Sequence, residues 1–549
     1  MNSPSAFVAR LSSDQLQPTP VITCKEINLF RAIKSVSSEK LVTATSEHIS
    51  KQQKLGCLGL DVFKEIDLPA RSLVIGCQVL YKFKDDGRFT CRVAGRGDTL
   101  PVDPMVVNFA AVCPDGDKAF ALSAMQAHCT SRGETLNLSD ADVHDAFSQV
   151  KRPAGSVPLF LRLPKNFPHP LAGYCIEVLG ALPGLTESNR LFDLELARVL
   201  IEEAGFINDI SSPRMFVKCD AADPHRKCII STHVDDMRLL DNLPQLSRDA
   251  INALEKRFGV MRVNSPSLTF TGVESQVLAN GSIMQTQDRY IARLAQNIGV
   301  AHMLPVELPA QIDFFRLSTS IVDIQPVDPA VYQSLTGSLV QIKTRDEIKH
   351  FVSYLCSRNA GPDEGDYSKA IHLLRYLYSS PGIGRVFSAD SVQLCCFADA
   401  SFNNVPEGKS IGSFFLSVGP YNAPFHSVVK FLSIPTNPTD AEYMNTLAAA
   451  KMTKHYIYLA AFLGWVQSSV PMFLDSQTAI NLAKAPQVSK KSLHIDVKFH
   501  YIRQCSTDGS ISLVHIPGEK QRCNVITKFL PGKSPFLLGR KLLLNSTGD

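Results

Sequence analysis

Short apolar runs bounded by polar turns alternate with stretches of helical spacing along the whole chain. Residues 72–76 and 79–83 read as strands. Cys228-Ile229-Ile230 and Met237-Arg238-Leu239-Leu240 flank Thr232-His233-Val234-Asp235-Asp236, which predicts a strand, a tight turn and a second strand. Leu138-Ser139-Asp140-Ala141-Asp142 reads as a strand that turns into a helix, with Phe147 five positions on. Ala370, Leu373, Leu374 and Leu377 keep helical spacing. Beyond residue 390, an apolar strand ends in Asp399. A helix-like run carries Glu442 near its start, and a further strand ends in Asp475. No internal repeat is visible, and the pattern predicts an α+β multidomain chain.

The acids at these element ends carry the chemistry. Adjacent carboxylates such as Asp235 and Asp236 repel unless a cation neutralises them. A hairpin tip that presents both suits a hard divalent cation, which takes carboxylate oxygens together with substrate phosphates. An Asp-Asp pair alone is ordinarily a solvated turn, and a strand-end Asp such as Asp142 is ordinarily a cap. The argument rests on their combination: Asp142, Asp235 and Asp236 in one set, and Asp399, Glu442 and Asp475 in a second.

In this order the first set resembles the palm of a reverse transcriptase, and Val234-Asp235-Asp236-Met237 resembles the copia-type class of long-terminal-repeat retrotransposons. Colinear blocks extend the likeness over roughly residues 48 to 535. They include Lys82 to Phe89 with Arg92 to Gly97, Leu182-Pro183-Gly184-Leu185 with Arg190 and Phe192, Tyr332 to Leu339, and Leu373 to Leu377. The second set, with Lys409 to Gly412, Leu493 to Arg503 and Val514-His515-Ile516-Pro517, is similar to the ribonuclease H of that class. The resemblance implies a right-hand reverse transcriptase (fingers, palm, thumb/connection) followed by an α/β ribonuclease H-like domain. It also implies an N-terminal segment of unknown role at 1–47, fingers and palm at 48–275 and thumb/connection at 276–390. The ribonuclease would occupy 391–535 and a tail 536–549.

The implied activity is RNA-directed DNA polymerase with ribonuclease H, using two Mg²⁺ per active site with Mn²⁺ as an alternative. Asp142, Asp235, Asp236, Asp399, Glu442 and Asp475 would be catalytic and would hold the metals. Arg92 would meet the triphosphate, and Phe147 would exclude a 2′-hydroxyl. Glu187 and Arg190 would lie near the incoming nucleotide, with Arg190 a candidate partner for Glu187. Partners would be an RNA template, a DNA primer or RNA–DNA hybrid, and dNTPs, with a homodimer left open. The chain departs from the family pattern at several places. Glu187 stands for a glutamine, Thr186 and Thr90 for lysines, Phe192 for a tryptophan, and Asn524 for the fourth ribonuclease carboxylate. Asn524 is expected as a neutral metal ligand. These departures keep a second reading open: a divergent or decayed retroelement remnant that binds nucleic acid with weak or no polymerase activity. A nuclease with a dead polymerase half lies between the two.

Composition changes this picture little. The 549 residues suffice for several cores. The net charge of +4 marks no overall polyanion binder, although Lys490, Lys491, Lys498, Arg503, Lys520, Arg522 and Lys528 make the C-terminal region locally basic. Fourteen cysteines without a C-x-x-C rhythm argue for free thiols in a reducing compartment and against zinc. No apolar run is long enough to span a bilayer, and no secretory signal opens the chain. No protease signature, zinc knuckle or integrase core is visible, so the chain reads as the carboxyl-terminal part of a larger polyprotein or as a surviving fragment. A cytoplasmic retroelement particle is the expected location, with the nucleus as the alternative.

Overall fold

The computed structural model describes residues 27–83, 87–100, 112–167, 169–264, 269–311, 314–315, 326–405, 408–484, 496–530 and 532–545; side chains are not described at 27, 404 and 496–500. Residues 84–86 of the fingers-like hairpin, and Lys490, Lys491 and His494, lie outside the described residues, as do the side chains of Lys498 and His500. The chain divides into two compact units, residues 1–111 with 143–199, and residues 112–142 with 200–549.

The first unit is built on one long strand, Leu73–Phe83. The two strands expected at 72–76 and 79–83 are therefore continuous. The reason lies in the pairing. The first part of the strand runs parallel to Leu159–Arg162, and the second part pairs antiparallel with Phe89–Gly95. Its inward positions Val79 and Tyr81 are buried with Val93, Leu161 and Ile176. The helix Ser38–Lys54 lays Leu41 and Ile49 on this core, and the Thr45 and Tyr81 hydroxyls, 2.9 Å apart, tie it to the sheet. Gly184, in the Leu182–Leu185 block, has a φ of +90°, and a Cβ there would stand 2.2 Å from the Gly95 carbonyl. Only glycine permits that crossing of two backbones.

In the second unit, a six-stranded antiparallel sheet has the order Arg262–Asn264, Asn137–Asp142, Asp236–Asp241, Lys227–His233, Ser212–Cys219, Ile207–Asp209. The helix Asp115–Arg132 is buried without interruption from Asp117 to Cys129, as a helix apolar on most sides must be. Its Phe120 ring lies 5.1 Å from Phe425, 5.5 Å from Tyr456 and 6.4 Å from Trp465, which joins residues 112–142 to the C-terminal core. Residues 276–390 hold the helices Asp288–Ile298, Pro329–Val340, Lys349–Ser357 and Glu364–Tyr378, and Ala370, Leu373, Leu374 and Leu377 are buried as their spacing predicts. Past residue 390 a mixed five-stranded sheet runs Pro424–Leu432, Lys409–Val418, Leu394–Val405, Val470–Leu474, Ile511–His515. The first three strands are antiparallel and the last two pairings are parallel. The helix Pro438–Phe462 covers it, started by Pro438 in the first turn and by Asn437, whose side chain accepts from the Asp440 amide.

Candidate active sites

The hairpin read from sequence is present, with Lys227–His233 paired to Asp236–Asp241 in a register that opposes His233 to Asp236. Val234 and Asp235 are therefore the two turn residues. Val234 sits at φ 60°, a left-handed conformation that is costly for a β-branched side chain. This strained turn places Asp235 beside Asp236. The neighbouring strand supplies the third acid, because Asp142 is the register partner of Asp236. Directly opposed residues of an antiparallel pair point to one face with their Cβ atoms about 5 Å apart. The sequence shows the strand end but not this register, which joins positions nearly a hundred residues apart. Asp236 reaches solvent, yet its carboxyl is pushed up to about 6 by partial burial and by the charges of Asp235, Asp142 and Asp140. Below the acids, Arg238 holds Asp140 through two bonds of 2.9 and 3.2 Å, donates to Ser275 and stacks on Phe270.

The second set is tighter. One ligand oxygen from each of Asp399, Glu442 and Asp475 lies within 4.8 Å of the others, the one such acidic group among the described residues. Asp142, Asp235 and Asp236 share a sheet end without reaching that spacing. Asp399 does not end its strand as expected. The strand continues to Val405 through an irregularity after Ser401, where Asn403 takes a φ of 52°. Glu442 enters from the first turns of its helix and accepts from the Ala400 amide at 3.3 Å. Asp475 follows the Val470–Leu474 strand. Burial and the neighbouring acids Asp399 and Asp475 push Glu442 up to about 9. Burial pushes Asp399 up to about 6, with Lys528 opposing and Asp475 adding to the shift. Three crowded carboxylates, with the buried Asp399 Oδ2 lacking a hydrogen-bond partner among the described residues, fit a hard dication.

Two residues of this centre were not foreseen. Asn445, fully buried one turn after Glu442, donates to the carbonyls of Asp399 and Ser413 at 3.0 and 2.7 Å and so locks the helix to the Asp399 strand. Lys528 Nζ lies 3.1 Å from Asp399 Oδ1. Asn524, expected as a direct ligand, is one step removed. Its amide oxygen accepts from Lys528 at 2.9 Å and its amide nitrogen donates to the Gly518 carbonyl at 2.6 Å. The hydrogen-bonding sense of both groups fixes this orientation. Lysine four positions after a helical amide reads in sequence as a solvated charge.

The nucleotide-side residues lie in the first unit. Arg92 lines a cavity of about 480 Å³ with Lys51, Lys82, Arg88 and His48, faced by Glu47 and Asp145. Thr90 lines it too, and Lys51 on the same wall is ion-paired with Asp145. Phe147 is half-buried in the 3-10 turn Ala146–Gln149, edge-on to Phe192 at 5.8 Å. Glu187 is paired with Arg152 at 2.7 Å and not with Arg190, which is exposed. Arg152 lies 35 residues away in sequence, so local spacing pointed to the wrong arginine.

No protein-family model matches the chain. Its curated homologues are plant copia-type retrotransposon Pol polyproteins. It is 22% identical over 97% of its length to the "Retrovirus-related Pol polyprotein from transposon TNT 1-94" of Nicotiana tabacum, covering 40% of that protein. It is 24% identical over 84% of its length to the corresponding polyprotein from transposon RE1 of Arabidopsis thaliana, covering 31%. The chain thus spans about a third to two fifths of these relatives. Among solved structures, a foamy viral protease-reverse transcriptase in complex with dsDNA aligns with a TM-score of 0.47 at 12% identity, over 87% of this chain and 83% of that one. Among the described residues no helix is long and apolar enough to cross a membrane.

Proposed function

We propose that the chain is an RNA-directed DNA polymerase with a ribonuclease H in cis, copying retrotransposon RNA into DNA. The observation that carries this reading is the presence of two acidic sets on two separate sheets of one chain whose relatives are retrovirus-related Pol polyproteins. Asp142, Asp235 and Asp236 would hold Mg²⁺ for polymerisation, and Asp399, Glu442 and Asp475 would hold it for cleavage of the RNA strand. Bound there, the metal supplies Lewis-acid stabilisation of the charge that develops in phosphoryl transfer. The chain's own groups do the rest. Arg92, Lys51, Lys82 and Arg88 offer cations to the triphosphate of a dNTP, Phe147 blocks a ribose 2′-hydroxyl, and Arg152 neutralises Glu187.

Within this reading, fingers and palm run from 48 to 275, thumb/connection from 276 to 390 and the ribonuclease from 391 to 535. The template RNA, the primer or hybrid, a homodimer and a cytoplasmic particle belong to the same proposal. Primer extension on an RNA template, with and without Mg²⁺, tests it together with hybrid cleavage. Neither activity in the presence of Mg²⁺ overturns it. Cleavage without extension favours the alternative of a decayed polymerase half, which the absence of a lysine at Thr90 supports.

A further inference from the structure

The ribonuclease cluster carries a cation of its own. Lys528 leaves the end of the short helix Asn524–Thr527 and reaches back, so that Asp399 Oδ1 and Asn524 Oδ1 both accept from its ammonium. The two Asp399 oxygens consequently have different fates. Oδ1 is taken by Lys528, while Oδ2 is buried with no hydrogen-bond partner among the described residues.

We propose that Lys528 is a built-in counter-ion of the ribonuclease centre that stands in for one of two divalent ions, leaving Asp399 Oδ2, Glu442 and Asp475 to hold a single dication. The inference rests on the ribonuclease reading above. Two ions of a two-metal site stand about 4 Å apart, so both must draw on the same few carboxylates. Lys528 holds its charge against one of the two Asp399 oxygens, where a second ion would meet repulsion. Charge arithmetic agrees. Three carboxylates and one ammonium sum to −2, which one dication cancels, whereas two dications would leave +2. A buried excess of that kind is strongly unfavourable. Asn524 fits the same logic. A carboxylate there would add the charge needed to retain a second dication. The neutral amide instead acts as a seat for Lys528, its orientation fixed by the Gly518 carbonyl.

The experiment is a Mn²⁺ titration of the full chain carrying Asp235→Asn and Asp236→Asn, which removes the polymerase acids from the count. Free Mn²⁺ is read by electron paramagnetic resonance, and the ribonuclease site is defined as the binding lost on further Asp399→Asn substitution. We expect one Mn²⁺ at this site. Lys528→Met should admit a second ion, seen as a stoichiometry of two and as the exchange-coupled spectrum of a manganese pair. Lys528→Arg, which keeps the charge, should stay at one. Lys528 is 37% exposed, so its replacement removes little packing; Lys528→Gln is the second variant, expected to behave as Lys528→Met. Two ions in the chain with Lys528 intact would overturn the inference and leave the ribonuclease reading standing, because the ammonium would then be displaced by metal. A count of one in both Lys528→Met and Lys528→Gln would also overturn it. No Asp399-dependent Mn²⁺ at all would overturn both.

Discussion

Replacing Arg238 by methionine should destabilise the second unit by about 3–5 kcal/mol, the usual cost of stranding one member of a buried ion pair. Arg238 and Asp140 are 3% and 8% exposed, joined by bonds of 2.9 and 3.2 Å. The guanidinium also donates to Ser275 at 3.0 Å and lies 4.7 Å above Phe270. The pair ties the strand of Asp142 to the strand of Asp236, two residues from each acid. Its own balance is nonetheless poor. Burial raises the Asp140 carboxyl above its ordinary value although Arg238 opposes the shift, so desolvation outweighs attraction. That decides what a second substitution does. Arg238→Met combined with Asp140→Leu leaves no buried charge and should recover most of the loss. Urea unfolding is followed through Trp465, the chain's one tryptophan, 7% exposed in the core of the same unit. A cost below about 1 kcal/mol for the single variant, or a double variant no more stable than it, refutes the reasoning.

Asp235→Asn should abolish primer extension while hybrid cleavage persists, since the two acidic sets lie on separate sheets; joint loss of both would mean misfolding. Phe147→Ala should raise ribonucleotide incorporation in extension assays, and unchanged sugar discrimination would leave Phe147 only its packing on Phe192. His455 has its imidazole raised above 6.5, chiefly by the hydrogen bond to Asp117 at 3.2 Å. Its contribution is therefore complete below the unfolded value and is lost as pH rises through the higher folded value. His455→Gln should flatten that decline in urea midpoints measured from about pH 6 to about pH 9.

The parts of the sites that local pattern encodes were legible. Apolar runs on both sides of Asp235 and Asp236 required a hairpin, and an acid at each of two strand ends and one helix start gave the second set. Register was not legible. That Asp236 faces Asp142 is decided by how the Asn137–Asp142 strand slides against Asp236–Asp241, with Leu138, Leu239 and Leu240 buried and Arg238 seeking Asp140. Long-range polar partners were hidden for the same reason. Nothing beside Glu187 points to Arg152, and nothing beside Glu442 shows that Asn445 will clamp the Asp399 backbone. Val234 at the turn is the opposite case. Sequence preference would place glycine or asparagine there, and the structure holds a strained valine where the acids must be presented.

The two centres meet one electrostatic problem in different ways. At the hairpin, like charges are spread along a strand end open to water, and Asp236 rises only to about 6, so it is largely ionised at neutral pH. A cation arriving there meets carboxylates already charged. In the ribonuclease cluster the acids crowd around the buried Asp399, and burial with the charges of Asp399 and Asp475 pushes Glu442 upward. A dication entering that cluster relieves the repulsion between its carboxylates. Lys528 relieves part of the same repulsion, because an ammonium 3.1 Å from Asp399 offsets one charge before any metal arrives. The internal ammonium limits how much positive charge the cluster then needs. The hairpin is arranged differently: Arg262 is the register partner of Asp142 on the neighbouring strand, and Arg238 engages Asp140 two residues before it.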